Sequence, residues 1–532
     1  MDLFNTDPHV LEKYSRDASL FKVRPLAVAK PQTKDDLRKL VKYAKDNHTS
    51  LTMRAGGSDM SGGAIGEGVV VDVTALNKIT RLGDNHVTVE PGVFYRDLEK
   101  ELNSRGLMLP CYPASKNLAG IGGMIGNNCG GEKTLRYGKM EDFIVSAKWI
   151  FADGNEYEVK PLSREKLAQK LSLNTYEGEI YRKIKALVDE NRELLAEAKP
   201  KVSKNSSGYY LWNVYPERVE GHGEMFDLNR LLVGSQGTLG ILTEATLRLE
   251  RVKTHHDLVV LFFKSWDEMP AVVNHLLKLK PEGLETFDKE TLKLGIRFMP
   301  EVAEKAGENF LSFAKKFLPE AFISLQMLSI PEIVLLVEFA EDNEHLLKEK
   351  VHEAEAILKH FHVHHEVIER DSDEERFWIM RRESFNLLRQ HVDGKRTVPL
   401  VDDFCVPVEA VPKFLPRAKK LLQEVGIKVN IAGHAGNGNF HIIPLMDLTN
   451  EEERGKLIPL AERFYNLVAE YGGTLSGEHN DGLVRTPFLN KIFKPEVLNL
   501  FKEVKNTFDP QNIFNPKKKV GATLEDFEKA LD

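Results

Sequence analysis

The sequence predicts an α+β protein of several domains, and three observations lead there. At 532 residues the chain exceeds the size at which a single hydrophobic core keeps growing, so it should divide into roughly two to four domains. Residues 256–400 place strand-like apolar runs (259–263, 322–325 and 333–339) between amphipathic helices (269–279 and 344–360). That is the pattern of an antiparallel sheet with helices on one side. Nearer the start, a short stretch with Leu51 and Met53 enters a glycine-rich loop, and Val69, Val70, Val71 and Val73 leave it. This reads as strand, loop, strand, and a domain boundary is expected near 251–256, where the texture changes.

Composition narrows the function classes. An apolar fraction of 42% with 29% charged residues is ordinary for a globular protein, and the formal charge of −7 argues against nucleic acid and against broad adhesion to an anionic membrane. Cys111, Cys129 and Cys405 form no Cys-x-x-Cys pair. That excludes a self-contained iron–sulfur unit or a disulfide framework and points to the cytoplasm. Residues 1–7 lack the basic and apolar regions of a signal peptide, and no apolar run approaches spanning length. No transmembrane segment is expected, and any membrane contact would be peripheral, at the inner face.

In chain order, a helix is expected over 31–47, with Leu37, Leu40, Val41 and Ala44 on one face and Thr33 as its cap. The loop that follows, 54–63, carries four glycines among residues 56–63. Glycines let backbone amides close on a ligand, with Arg54, Ser58 and Ser61 as further donors, so a pyrophosphate nest and a plain surface turn are both open. A helix through Tyr95, Leu98 and Leu102 precedes a second glycine cluster, 120–131, which reads as close packing against something flat or as a helix starting in a crowded core. A hairpin over 145–159 and a charged helix over 179–198 lead to a third cluster, 234–241. Three nests over so long a stretch suggest one extended ligand gripped at several points, as a dinucleotide would be.

Farther on, His360, His362 and His364 would share a side of a strand, as a metal comb or, more simply, a solvent face. Helices over 410–425 and 456–471 bracket the loop containing His434 and His441, and Glu478 and His479 follow. Two imidazoles and a carboxylate suffice for Zn²⁺ or Mn²⁺ with open positions; a hydrogen-bonded loop is the alternative. Arg381 and Arg382 could fork onto a substrate carboxylate or form a solvated face.

These residues resemble the FAD-linked oxidases and dehydrogenases of the vanillyl-alcohol-oxidase fold, in the D-lactate, glycolate and D-2-hydroxyglutarate dehydrogenase branch. The likeness runs through 14–19, 54–63, 113–115, 121–131, 136–138, 234–244, Trp378 and Arg381, 403–407, 434–441, 477–479, 508–510 and 515–516. It implies a two-part FAD-binding domain of the PCMH type (1–252), an antiparallel-sheet substrate or cap domain (253–485), and a C-terminal segment returning to the FAD-binding domain (486–532). FAD-binding residues implied are Arg54, Ala55, Gly56, Gly57, Ser58 and Asp59 in the first loop, with Pro113 and Ser115 after it. Gly120, Gly122, Gly123, Asn127 and Gly130 would lie along the flavin, with Tyr137. Gly234, Gly237, Thr238, Gly240, Ile241 and, from the tail, Asn515 complete the set. Ser58 stands where some relatives carry a flavin-linking histidine, so noncovalent FAD is expected.

The resemblance also assigns His434, His441 and Glu478 to a divalent metal, His479 to the general base, and Arg381 to the substrate carboxylate. The implied reaction oxidises a small 2-hydroxy acid to a 2-oxo acid, with hydride passing to flavin N5. Departures are Asn437, Asn480 and Asp481, where relatives more often carry Asp, Gly and Ile; Asp481 with Arg485 resembles a large branch fused to an iron–sulfur portion. With only three cysteines here, such a cluster is expected in a separate subunit, or electrons leave by a quinone or another carrier. A homodimer is compatible with the sequence. An oxidase using O₂, a non-redox FAD enzyme of the alkyl-glycerone-phosphate synthase type and a non-catalytic flavin subunit are the alternatives.

Overall fold

The computed structural model describes residues 3–216, 225–305, 309, 329–369, 376–382, 395–427 and 429–532. Three sheets organise it. A four-stranded sheet runs in the order Phe4–Asn5, Ala27–Ala29, Val69–Asp72, Leu51–Arg54, its last three strands parallel. Helix Lys34–Asp46 follows the second of these strands, started by a capping box between Thr33 and Asp36, and buries the four apolar residues its period predicts.

The second sheet is antiparallel, in the order Ile79–Leu82, His86–Val89, Ile241–Arg248, Ile144–Ile150, Glu156–Val159. Its central strand comes from far downstream, and that insertion delivers the third glycine cluster to the edge where the first already sits.

The third sheet runs His364–Ile368, His255–Phe263, Ile333–Glu341, Gly283–Asp288, Val429–His434, Asn439–Met446, Arg396–Thr397, with Phe404–Cys405 also paired to Asn439–Met446. All its pairings are antiparallel. Strand periodicity explains its unbroken apolar runs: Val259, Leu261 and Phe263 enter one core while Leu258, Val260 and Phe262 enter another on the opposite face.

Two expectations need revision. The charged helix over 179–198 is two helices, Tyr176–Glu190 and Arg192–Ala198, because Asn191 leaves helical geometry and its side chain donates to the Leu187 carbonyl at 2.8 Å. The histidine comb does not form: the strand begins only at His364, His360 precedes it, and His362 is exposed beside Glu268. The run at 322–325 lies outside the described residues.

The C-terminal segment packs on the first half of the chain. Phe514 bridges Leu51, and Leu531 bridges Phe21. From helix Pro495–Phe508, the Lys505 ammonium donates to the carbonyls of Thr238 and Phe514 at 2.8 and 2.6 Å and pairs with Asp509 at 2.6 Å. Lys505→Met leaves Asp509 and two carbonyls buried without their cation, so stability should fall by about 3–5 kcal/mol. The denaturant midpoint, followed by tryptophan fluorescence, measures it.

Candidate functional site

A cavity of about 730 Å³ lies between the glycine clusters and the third sheet, within the usual range of about 300–1,000 Å³ for ligand pockets. Arg54, Ala55, Gly56, Gly57, Ser58 and Asp59 line one wall. Pro113, Ser115, Gly120, Gly122, Gly123, Asn127 and Gly130 line the next, and Gly237, Gly240 and Ile241 a third. Across from them stand Arg381, His434, His441, Glu478 and His479. The chain can close this tightly because of its glycines: a Cβ on Gly56 would lie 1.9 Å from the Leu118 carbonyl oxygen, and Gly57 sits at φ +69°.

The first loop is partly self-organised. The Asp59 carboxylate accepts the amides of Ser61 and Gly63 at 3.0 and 2.6 Å and the Asn127 side-chain amide at 2.8 Å. Those two amides therefore point at the loop's own carboxylate, and Ser61 is tied into it as well.

Four residues expected to touch the cofactor do not line this cavity. Tyr137 faces a separate cleft with Arg136, Leu249 and Arg251. Gly234 packs against Asn128, and its carbonyl accepts the Asn480 side chain at 2.8 Å. Thr238 is buried between the Tyr209 hydroxyl and the Ser235 carbonyl. Asn515 donates to the carbonyls of Gly63 and Gln236 at 2.9 and 2.7 Å. The last three buttress the nest from behind, where a polar side chain must satisfy buried carbonyls.

Sheet register brings the histidines together. In the hairpin formed by Val429–His434 and Asn439–Met446, His441 opposes Ala432, so His434 is its diagonal neighbour on the same face. The connecting turn closes through Gly438 at φ +66°. Glu478 and His479 arrive on a turn clamped by Asp403, which accepts the Glu478 and His479 amides at 3.0 and 2.7 Å and the Ser476 hydroxyl at 2.5 Å. Arg485, fully buried, donates to the carbonyls of Leu475, Asn480 and Asp402 and pins the same turn. Asn480 takes the left-handed conformation its position requires, at φ +71°. Asn437 turns to Ser203 at 3.1 Å, away from the rings.

The Nε2 atoms of His434, His441 and His479 lie 3.2, 3.4 and 3.8 Å from one oxygen of Glu478. Ligands about 2.1 Å from a tetrahedral ion are about 3.4 Å apart, so this spacing suits a shared cation. Each ring's other nitrogen meets a carboxylate: His434 Nδ1 lies 2.6 Å from Glu285, and His441 and His479 Nδ1 lie 3.0 and 2.8 Å from the two oxygens of Asp402. Such partners orient metal-ligating imidazoles and fix their tautomer. Asp403, His441, Glu478 and His479 also have ligand atoms within 4.8 Å of one another. Asp403 is also engaged by the turn it clamps.

Glu285, Asp402 and Lys204 carried no sequence signal. The other oxygen of Glu285 pairs with Arg381 at 2.9 Å, and the fully buried Lys204 ammonium lies 3.2 Å from the second oxygen of Glu478. Arg382 also lines the cavity and forms a bidentate pair with Glu132.

Burial disfavours charge throughout the cluster, but its partners win. Asp402 is held well below the usual carboxylate range by the imidazoles of His479 and His441, and Glu478 by Lys204 and His434. His441 is pushed up to about 10 by Asp402 and Glu478, and His479 is raised by Asp403 and Asp402.

A solved p-cresol methylhydroxylase with substrate bound aligns at a TM-score of 0.68 with 15% identity, covering 98% of this chain and 95% of that one; the chain shares its fold. Residues 25–160 match a FAD binding domain, and residues 252–519 match the FAD linked oxidases, C-terminal domain. The chain belongs to the FAD linked oxidases. The D-2-hydroxyglutarate dehydrogenase of Escherichia coli (strain K12) is 28% identical over 95% of the chain, and the D-lactate dehydrogenase of Archaeoglobus fulgidus is 28% identical over 93%. The chain spans about half of the first (49%) and 91% of the second.

Two outcomes follow from this geometry. Gly56→Ala should lower the FAD content of purified protein at least tenfold, read from the flavin absorbance, because the wall must move to admit the methyl. For chelator-treated protein, the raised His441 contributes stability that is complete below about pH 6.5 and is lost as pH rises toward about 10. The lowered Asp402 and Glu478 contribute stability above the ordinary carboxylate range that is lost as pH falls. Its melting temperature should therefore decline from pH 6.5 to pH 10.

Proposed function

We propose that the chain is a FAD-dependent D-2-hydroxy-acid dehydrogenase that yields the 2-oxo acid. The observation that carries this reading is that three imidazoles, one carboxylate oxygen and Arg381 face the same cavity as the glycine cradle. The residues fit both groups: the cradle has walls that no Cβ could share, and the histidine set has borderline-soft donors, each backed by a carboxylate.

In this reading Arg54, the loop 55–59, Gly120, Gly122, Gly123, Gly237 and Gly240 hold noncovalent FAD, which supplies a two-electron acceptor that no side chain can provide. His434, His441 and Glu478 hold Zn²⁺ or Mn²⁺, which supplies positive charge for the substrate's hydroxyl oxygen. Arg381, kept in place by Glu285, takes the substrate carboxylate. His479 is the base: its ring is the most exposed of the three, at 21% against 11% and 4%, so it is the one that a substrate hydroxyl can reach. Near Arg381 the cavity is lined by Thr291, Asn430 and Arg382 together with Ile379, Ala432 and Ile443, a mixed wall that admits either a 2-hydroxyglutarate or a lactate side chain. The relatives' names support a dehydrogenase.

Anaerobic mixing with a panel of D- and L-2-hydroxy acids should bleach the oxidised flavin, and chelator pretreatment should abolish this. His479→Asn should keep FAD but slow bleaching by about 10²- to 10⁴-fold. An unchanged rate would reject His479 as the base, and a stoichiometric burst of peroxide on aeration would favour an oxidase.

A further inference from the structure

We propose that Asp402 is a positioning residue that joins the base and the ion site into one unit, fixing His479 and His441 in the same tautomer and the same orientation. This rests on the reading of the site given above.

The side chain of Asp402 is wholly buried, and each oxygen serves a different ring: Oδ1 lies 3.0 Å from His441 Nδ1 and Oδ2 lies 2.8 Å from His479 Nδ1. An ionised carboxylate only accepts hydrogen bonds. Both rings must therefore carry a proton on Nδ1, and both Nε2 atoms face Glu478 and the cavity, where a bound ion would take the place of a second proton. The two rings lie nearly parallel, 22° apart with centroids 5.0 Å apart, as two rings hung from one carboxylate should.

Asp402 itself cannot drift. Its carbonyl accepts the Arg485 guanidinium at 2.6 Å, and its neighbour Asp403 holds the backbone of the turn that bears His479. Adjacent carboxylates thus divide the work: Asp403 places the backbone of the base, and Asp402 aims its ring. His434 is outside this unit, since its Nδ1 belongs to Glu285.

Asp402→Asn tests the assignment. The amide has the same size, but its oxygen can accept from only one ring while its nitrogen can only donate. The other ring must then move its proton to Nε2 or swing away. We expect FAD content to be unchanged and ion retention to weaken by about 10- to 100-fold in titration with a competing chelator. Flavin reduction in ion-saturated protein should slow by about 10²- to 10⁴-fold, with substrate half-saturation changed far less. Asp402→Glu keeps two acceptor oxygens and should recover most of both losses.

Asp402→Asn with ion retention and flavin reduction within twofold of the parent overturns the proposal, as does Asp402→Glu with losses as large as those of Asp402→Asn. If Asp402→Asn does not fold, as judged by flavin absorbance and melting temperature, Asp402→Glu decides alone. Reduction within about tenfold of the parent then supports the role, and a loss equal to that of His479→Asn overturns it. If His479→Asn and chelation leave reduction intact, the reading of the site has failed. If they slow it and Asp402→Asn does not, only the role of Asp402 has failed.

Discussion

Buried carboxylates kept ionised by fixed partners are the constraint on which the site depends. Asp402, Asp403, Glu285 and Glu478 have little or no contact with water, and an isolated charge in such a place would be lost to protonation. Each instead has cationic or N–H partners within about 3 Å: imidazoles for Asp402, backbone amides for Asp403, His434 and Arg381 for Glu285, and Lys204 for Glu478. Because the partners come from the third sheet, the 476–482 turn and the loop bearing Lys204, satisfying the charges also fixes how these elements meet. The same pairings that make the core tolerable therefore aim the rings.

The cavity joins two kinds of surface for a topological reason. One wall is nearly all backbone, built where glycines let loops from two sheets approach closely. The other is nearly all side chain, built on an antiparallel hairpin whose diagonal pairing sets the spacing of His434 and His441. A flat, largely apolar group suits the first wall, and a small polar molecule suits the second.

Much of this was legible in the sequence where the signal is local. The helix Lys34–Asp46 follows from its apolar period and its cap, the hairpin at 144–159 from its turn, and the glycine clusters and histidines from their own spacing. What was not legible depends on tertiary contact. Nothing in the run of Leu284, Glu285 and Thr286 says that the carboxylate will meet a histidine some 150 residues away, and Lys204 sits in an unremarkable polar stretch. Tyr137, Gly234, Thr238 and Asn515 show the converse: each belongs to a motif, but the motif does not say whether the residue faces the cavity, and these four do not line it. The division of 179–198 at Asn191 turned on one side chain bonding to its own helix, which periodicity does not report.

The second sheet has a consequence for synthesis on the ribosome. Strand Ile241–Arg248 fills the gap between His86–Val89 and Ile144–Ile150, and the edge at Leu51 receives Phe514 and the Asn515 amide only from the tail. A nascent chain must therefore carry an open sheet until residue 248 emerges, and an unpaired edge at Leu51 until Phe514 and Asn515 are made. Unpaired strand edges are adhesive while they wait. Nascent chains of this protein are accordingly exposed to misplaced strand pairing until residue 248 can insert.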